Sequence, residues 1–196
     1  MATKRKTNRK NLLITGGAGF IGINAVRHFI QKGWTVTLFD NFSRKGTDIN
    51  IANLKRDIKK GWRVVKGDVV TDVALLEREV KKADAIIHLA AQVAVTTSIV
   101  EPREDLSINV IGTFNVLEAI RQSGRKPPLI YSSTNKVYGS LPHYEGAEKG
   151  KRYVFKNKKI QKYGIGESEL LDFHSPYGCS KRAADQYVID YGRIYG

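Results

Sequence analysis

The chain has 196 residues, 41% of them hydrophobic, enough for one sizeable core and so for one domain. Its formal charge of +14 is concentrated: residues 1–10 hold five cations and residues 149–162 hold seven, with no acid in either stretch, so the body is left near +2. That is the pattern of a solvated tail and a solvated loop rather than of a basic helix aimed at base edges, and it argues against a nucleic-acid binder. The single cysteine, Cys179, excludes an internal disulfide and a multi-cysteine metal centre and suits the reducing cytoplasm. No metal-ligand spacing links His28, His88, His143 and His174. No apolar run approaches the ~18 residues that cross a bilayer, because His88 and Gln92 interrupt the best candidate. Residues 1–10 lack the apolar segment of a secretory signal and are expected to be a disordered basic tail, with the folded domain at 11–196.

Asn11–Thr15 is a short apolar run that predicts a buried strand. It runs into Gly16-Gly17-Ala18-Gly19-Phe20-Ile21-Gly22, and the following segment to Lys32 carries Ile21, Ala25 and Phe29 at helical spacing before Gly33. Strand, glycine turn and helix form the context in which a dinucleotide pyrophosphate is held. Glycines allow the backbone N–H groups to approach it, and the helix N-terminus supplies positive potential. The spacing here is Gly-x-x-Gly-x-x-Gly, from Gly16, Gly19 and Gly22. Trp34–Phe39 predicts a second strand ending at Asp40, about 24 residues after Gly16, close to the ~20 expected for the acid that binds an adenosine ribose. A carboxylate there favours NAD because it repels a 2′-phosphate, although Arg44 is placed to accommodate one.

Further along, the spacing predicts a loose helix over 47–60, a strand over 63–66 followed by Gly67-Asp68-Val69, a helix over 72–82 and a strand over 85–89. Ala90-Ala91-Gln92 offers small residues where backbone can approach a ligand. A long helix is expected over 103–122, with Leu106, Val110, Phe114, Leu117 and Ile120 on one side and Asn109 and Asn115 breaking the register as surface polarity. Leu129–Ser132 predicts a fifth strand. Five strands alternating with helices imply a doubly wound parallel sheet of the α/β class. Ser132-Ser133-Thr134 stands at the carboxyl end of the last strand, where such sheets place ligands. Residues 139–174 form a long connection. The segment Tyr177-Gly178-Cys179-Ser180-Lys181 opens a final helix that sets Tyr177 and Lys181 on one face. A lysine cation beside a phenol favours the phenolate and brings a poor base towards a useful range.

These motifs resemble, in order and spacing, the extended short-chain dehydrogenase/reductases, the NAD-dependent nucleotide-sugar epimerases and dehydratases with a Rossmann-type fold. The resemblance rests on Thr15–Gly22, Phe39-Asp40-Asn41, Gly67-Asp68-Val69, His88-Leu89-Ala90-Ala91, Asn109 with Gly112-Thr113, Ser132–Gly139 and Tyr177–Lys181. It implies Thr134, Tyr177 and Lys181 as the catalytic set. It also implies Gly16, Gly19, Phe20, Ile21 and Gly22 at the pyrophosphate, and Asp40, Asn41, Ser43 and Arg44 at the adenosine ribose. Asp68 and Val69 would flank the adenine, while Leu89, Ala90, Ala91, Gln92 and Asn109 approach the second ribose and the nicotinamide. The implied partners are a nucleotide-sugar substrate and, when full length, a second copy docked through the helices at 103–122 and 177–194. Members of this family continue into further strands and a substrate domain, so residues 11–196 are expected to be an incomplete NAD-binding part, poorly soluble and with little activity alone. The alternatives left open are a 4-epimerase, a 4,6-dehydratase, a non-catalytic NAD-binding module and a nucleic-acid binder.

Overall fold

In the computed structural model, which describes residues 9–196, five strands form one parallel sheet. They are β1 (Asn11–Thr15), β2 (Thr35–Asp40), β3 (Trp62–Lys66), β4 (Ala85–His88) and β5 (Leu129–Tyr131), in the order β3-β2-β1-β4-β5. The tail expected at 1–10 lies outside the described residues, apart from the exposed Arg9 and Lys10. The strands are joined by α1 (Phe20–Gln31), α2 (Thr47–Asp57) and α3 (Val73–Val80), and then by α4 (Val95–Val100), α5 (Pro102–Leu106) and α6 (Gly112–Ser123) between β4 and β5.

Successive strand residues point to opposite faces, and here both faces are covered. Leu13, Phe39 and Ile86 pack with Leu76 and Val80 of α3 and Val116 of α6. Leu12, Ile14, Val36 and Leu38 pack with Val26 of α1 and Ile51 and Leu54 of α2. Because β2 and β4 flank β1 on opposite sides, the winding reverses between β1 and β4. The crevice beyond the carboxyl ends of those two strands is where such a sheet holds ligands.

The structure corrects three expectations. The packed side of α1 is Gly22, Ile23 and Val26, and Ile21 is 61% exposed. Gly22 sets that rotation, since a Cβ there would lie 2.4 Å from the Gly17 carbonyl oxygen. The single helix expected over 103–122 is three segments: α5, a π-helical stretch at Ser107–Ile111, and α6, preceded by the unforeseen α4. Asn109 lies in the π stretch and is buried, and Asn115 donates to the carbonyls of Val69 and Val70 at 2.9 and 3.2 Å, so neither is surface polarity. The connection at 139–174 contains an antiparallel hairpin, β6 (Gly146–Lys149) and β7 (Arg152–Phe155), and α7 (Lys158–Tyr163). The basic stretch at 149–162 is thus largely ordered rather than a bare loop. The chain ends in α8 (Ser175–Tyr195), which packs on α4, α5, the π stretch and α6.

Candidate active site

β1 runs out at Thr15, and Gly16, at φ +66, turns the chain into the loop that opens α1. A Cβ at Gly16 would lie 2.6 Å from the Ala90 nitrogen, so this turn is in direct contact with the segment after β4. Two side chains clamp the loop. Asp40, at the end of β2, accepts from the Ala18 N–H at 2.9 Å with one carboxylate oxygen and from the Phe42 N–H at 2.9 Å with the other. Asn50 of α2 donates to the Ala18 carbonyl at 2.9 Å. Asp40 is therefore a structural brace as well as a groove residue, and each of its oxygens keeps a lone pair for a further donor. The first-turn N–H groups of Phe20, Ile21 and Gly22 have no intrahelical acceptor, as at any helix start, and no side chain caps the helix. Free N–H groups at a helix start suit an anion.

The crevice is lined by Gly16, Gly19, Asp40, Asn41, Ser43, Arg44, Asp68, Val69, Leu89, Ala90 and Ala91 among the residues expected from sequence. Across it, Asn41 donates to Asp68 at 2.7 Å and accepts from the Ser43 N–H at 2.9 Å. Phe39, Thr47, Gly67, Val93 and Ile108 line it as well, and sequence reasoning had not assigned them. Phe20, Ile21, Gly22, Gln92, Asn109, Thr134, Tyr177 and Lys181 do not line it. The side chain of Asn109 is already occupied: its carbonyl accepts from the Gln92 N–H at 2.9 Å and its amide donates to Asp105 and Ser180 at 3.1 and 3.0 Å.

Tyr177 and Lys181, one turn apart on α8, are 8% and 3% exposed, so both face inward. The Tyr177 N–H, in the first turn of α8, donates to the Ser98 hydroxyl of α4 at 3.2 Å. The Lys181 ammonium donates to the Ser132 carbonyl at 2.5 Å and lies 4.2 Å over the Tyr131 ring. Burial brings its pKa down to about 8, against the pull of Asp185 and Asp105. Burial pushes the Tyr131 phenol upward. Thr134 follows β5, and its hydroxyl oxygen accepts from the Lys136 N–H at 3.2 Å, capping a 3-10 turn at Asn135–Tyr138 that packs on α8.

Between the two ends lies His88, which is 1% exposed. The Thr113 hydroxyl donates to the Asn109 carbonyl at 2.6 Å, so it accepts from His88 Nε2–H at 2.9 Å. His88 Nδ1 is then the acceptor for the Thr15 hydroxyl at 2.5 Å. Burial lowers the His88 pKa to about 3, and the ring is neutral with its tautomer fixed. No spacing in the sequence marked His88, Ser98 or Tyr131 as parts of this arrangement.

No helix among the described residues is long and apolar enough to cross a membrane, and no group of three or more acidic, histidine or cysteine side chains among them could hold a metal ion.

Comparison with known proteins bears on the same residues. The chain is 48% identical over 187 residues to the CDP-paratose 2-epimerase of Salmonella typhi, covering 94% of this chain and 54% of that protein. It is 36% identical over 187 residues to the dTDP-glucose 4,6-dehydratase of Mycobacterium tuberculosis, covering 94% and 50%. The crystal structure of DesIV, a dTDP-glucose 4,6-dehydratase from Streptomyces venezuelae with NAD bound, superposes with a TM-score of 0.75 at 32% identity, over 95% of this chain and 52% of its own. The chain spans about half the length of the curated relatives it matches. A match over residues 13–196, from within β1 to the end of α8, takes in the crevice and the Tyr177 helix alike. The chain therefore belongs to the GDP-mannose 4,6 dehydratase family, within the extended short-chain dehydrogenase/reductases.

Proposed function

We propose that this chain is the cofactor-binding part of an NAD-dependent nucleotide-sugar epimerase, and that its reaction is the C2 epimerisation of CDP-paratose to CDP-tyvelose through a 2-keto sugar. The observation that carries the reading is the pairing of a glycine-turn crevice at the β1–β4 switch point with an inward-facing tyrosine and lysine beside the end of β5. The higher identity to the CDP-paratose epimerase than to the dehydratase favours that reaction over loss of water. The residues present fit the cofactor: the close contact at Gly16, the uncapped start of α1 and the carboxylate of Asp40 suit a pyrophosphate and an unphosphorylated ribose. Gly16, the start of α1 and Asp40 would hold NAD, which would supply a hydride acceptor for oxidation of the sugar C2 and a hydride donor for its reduction.

The protein's own part is proton transfer and placement. Tyr177, as the phenolate, takes the proton of the sugar 2-hydroxyl as that carbon is oxidised, and gives it back on reduction. Lys181 favours the phenolate by its charge, and Thr134 binds the reacting oxygen. Leu89, Ala90 and Ala91 wall the crevice on the β4 side. The same reading makes the protein a homo-oligomer through α6 and α8, which within the chain pack Phe114 edge-to-face against Tyr187 and Tyr191 at ring separations of 5.7 and 6.1 Å.

The test is binding first and turnover second. Calorimetry should show NAD binding, with NADP about tenfold or more weaker, because of the Asp40 charge. Conversion of CDP-paratose by these residues alone should be weak, and Tyr177→Phe should remove it by about 10²-fold or more while leaving NAD affinity in place. Release of water from dTDP-glucose would move the chain to the dehydratases. Absence of NAD binding would sink the reading.

A further inference from the structure

One buried polar cluster has no part in the chemistry above. Asp105 of α5 is 0% exposed, Asn109 of the π stretch 1% and Ser180 of α8 3%. The Ser180 hydroxyl donates to Asp105 Oδ2 at 2.5 Å, and the Asn109 amide donates to Asp105 Oδ1 at 3.1 Å and to the Ser180 oxygen at 3.0 Å. Both carboxylate oxygens thus receive donors, the pattern of an ionised carboxylate. Burying such a charge is costly unless it is held in this way, and an apolar cluster of the same shape would join the helices at lower cost. Helix packing alone does not call for it.

What the cluster does follows from its place. Ser180 is three residues after Tyr177 and one before Lys181, on the same stretch of α8. Apolar surfaces let a helix slide or turn by small amounts, whereas hydrogen bonds of 2.5–3.1 Å to fixed partners do not. Ser98 holds the Tyr177 N–H one turn earlier. We propose that Asp105 is a positioning residue: by gripping Ser180 it sets the rotation and height of α8, and so the places of Tyr177 and Lys181. Through Asn109 and the Gln92 N–H, the same grip reaches the segment that walls the crevice at Ala90 and Ala91. This inference rests on the roles given above to Tyr177 and Lys181.

The Lys181 ammonium is the reporter. Its neighbours are Asp185 on its own helix, Asp105 from α5, Tyr131 from β5 and His88 from β4, with Tyr177 one turn earlier on α8. Its titration is followed by NMR in 13C-lysine-labelled protein and assigned with Lys181→Arg; the parent midpoint is expected at about 8. Asp105→Asn keeps the side-chain shape but presents an amide to the Ser180 hydroxyl and drops the charge, so the midpoint should fall. Burial already raises the Asp105 pKa and the Ser180 hydroxyl opposes that rise, so Ser180→Ala should favour the neutral acid and shift the lysine midpoint the same way and less. Glu104→Gln, on the exposed side of α5, should leave it in place. NAD affinity should fall roughly tenfold in either Asp105→Asn or Ser180→Ala, and the double variant should be no weaker than the worse single one, since one link is cut in both.

An unmoved midpoint in Asp105→Asn, or losses that multiply in the double variant, would overturn the proposal. If Asp105→Asn fails to fold, Ser180→Ala, which deletes one oxygen, decides the matter alone. If the parent binds no NAD, the functional reading fails, and the lysine titration still decides the positioning role.

Discussion

The two ends of the site are built from different materials. The cradle end is backbone: a glycine turn between β1 and α1 that needs atoms to be missing, with Asp40 and Asn50 as its only side-chain braces among the described residues. The proposed reacting end is side chain: Ser98 of α4, Asp105 of α5, Tyr131 of β5 and Tyr177, Ser180 and Lys181 of α8 meet through hydrogen bonds and the Lys181–Tyr131 contact. A cradle of this kind fails when an atom is added, and a cluster of this kind fails when a partner is taken away. The first is a steric requirement on a few positions, the second an electrostatic requirement on many.

His88 touches both ends, through Thr15 before the cradle and Thr113 beside Asn109, and it gives the largest expected effect. Its folded pKa of about 3 lies below the ordinary 6.5, so in acid the unfolded chain takes up a proton that the native ring refuses. Stability therefore falls as pH drops through 6.5 towards 3, by about 4–5 kcal/mol in all at ~1.4 kcal/mol per pH unit. Between 6.5 and 4.5 the loss precedes protonation of the paired carboxylates. Urea unfolding across that interval should show a slope that His88→Gln removes; a flat parent profile would mean that the ring is not held neutral.

Gly16→Ala comes next and separates steric from conformational cost at the cradle. Gly33 also has positive φ, +82, but nothing lies within 4 Å of its missing Cβ, so Gly33→Ala should cost only about 1 kcal/mol. Gly16→Ala adds the collision with Ala90 and should cost roughly 3–4 kcal/mol and abolish NAD binding. Equal losses at the two positions, read from chemical denaturation, would deny the close contact.

Lys181→Met probes the proposed reacting end and should give a smaller change than His88→Gln or Gly16→Ala. The folded pKa of about 8 lies below the ordinary 10.5, so between those values the native state has shed a proton that the unfolded chain retains. Stability should rise with pH over that window by about 3 kcal/mol, and Lys181→Met should flatten the rise. Thermal melts between pH 8 and 9 measure the start of this rise before the tyrosines, with an ordinary pKa near 10, ionise appreciably.

This division of materials also explains what could be read from the sequence. The cradle was legible because a glycine turn between an apolar run and a helix leaves a local trace, and because Asp40 falls at the end of the next strand. The parallel sheet was legible from strands alternating with helices, and the shared face of Tyr177 and Lys181 from their spacing. The reacting end was mostly hidden. Asp105, Ser98 and Ser180 look like ordinary polar residues until the fold brings α4, α5 and α8 together. Asn109 was legible as a site residue, but its buried side chain ties Gln92 to Ser180 instead of lining the crevice. The exposed Ile21 misled because apolar spacing cannot see that Gly22 must face Gly17.

The π stretch at Ser107–Ile111 has a consequence for how one helical run serves two neighbours. Asp105, Asn109 and Thr113 follow at steps of four; the Asn109 side-chain amide donates to Asp105, and the Thr113 hydroxyl donates to the backbone carbonyl of Asn109. At 3.6 residues per turn, two such steps drift by roughly 80° around the axis, enough to fan the three side chains apart. The wider winding takes up that drift and keeps a straight polar seam, aimed at α8 at one end and at His88 at the other. The local loosening of the helix thus lets one run present Asp105 to α8 and Thr113 to β4.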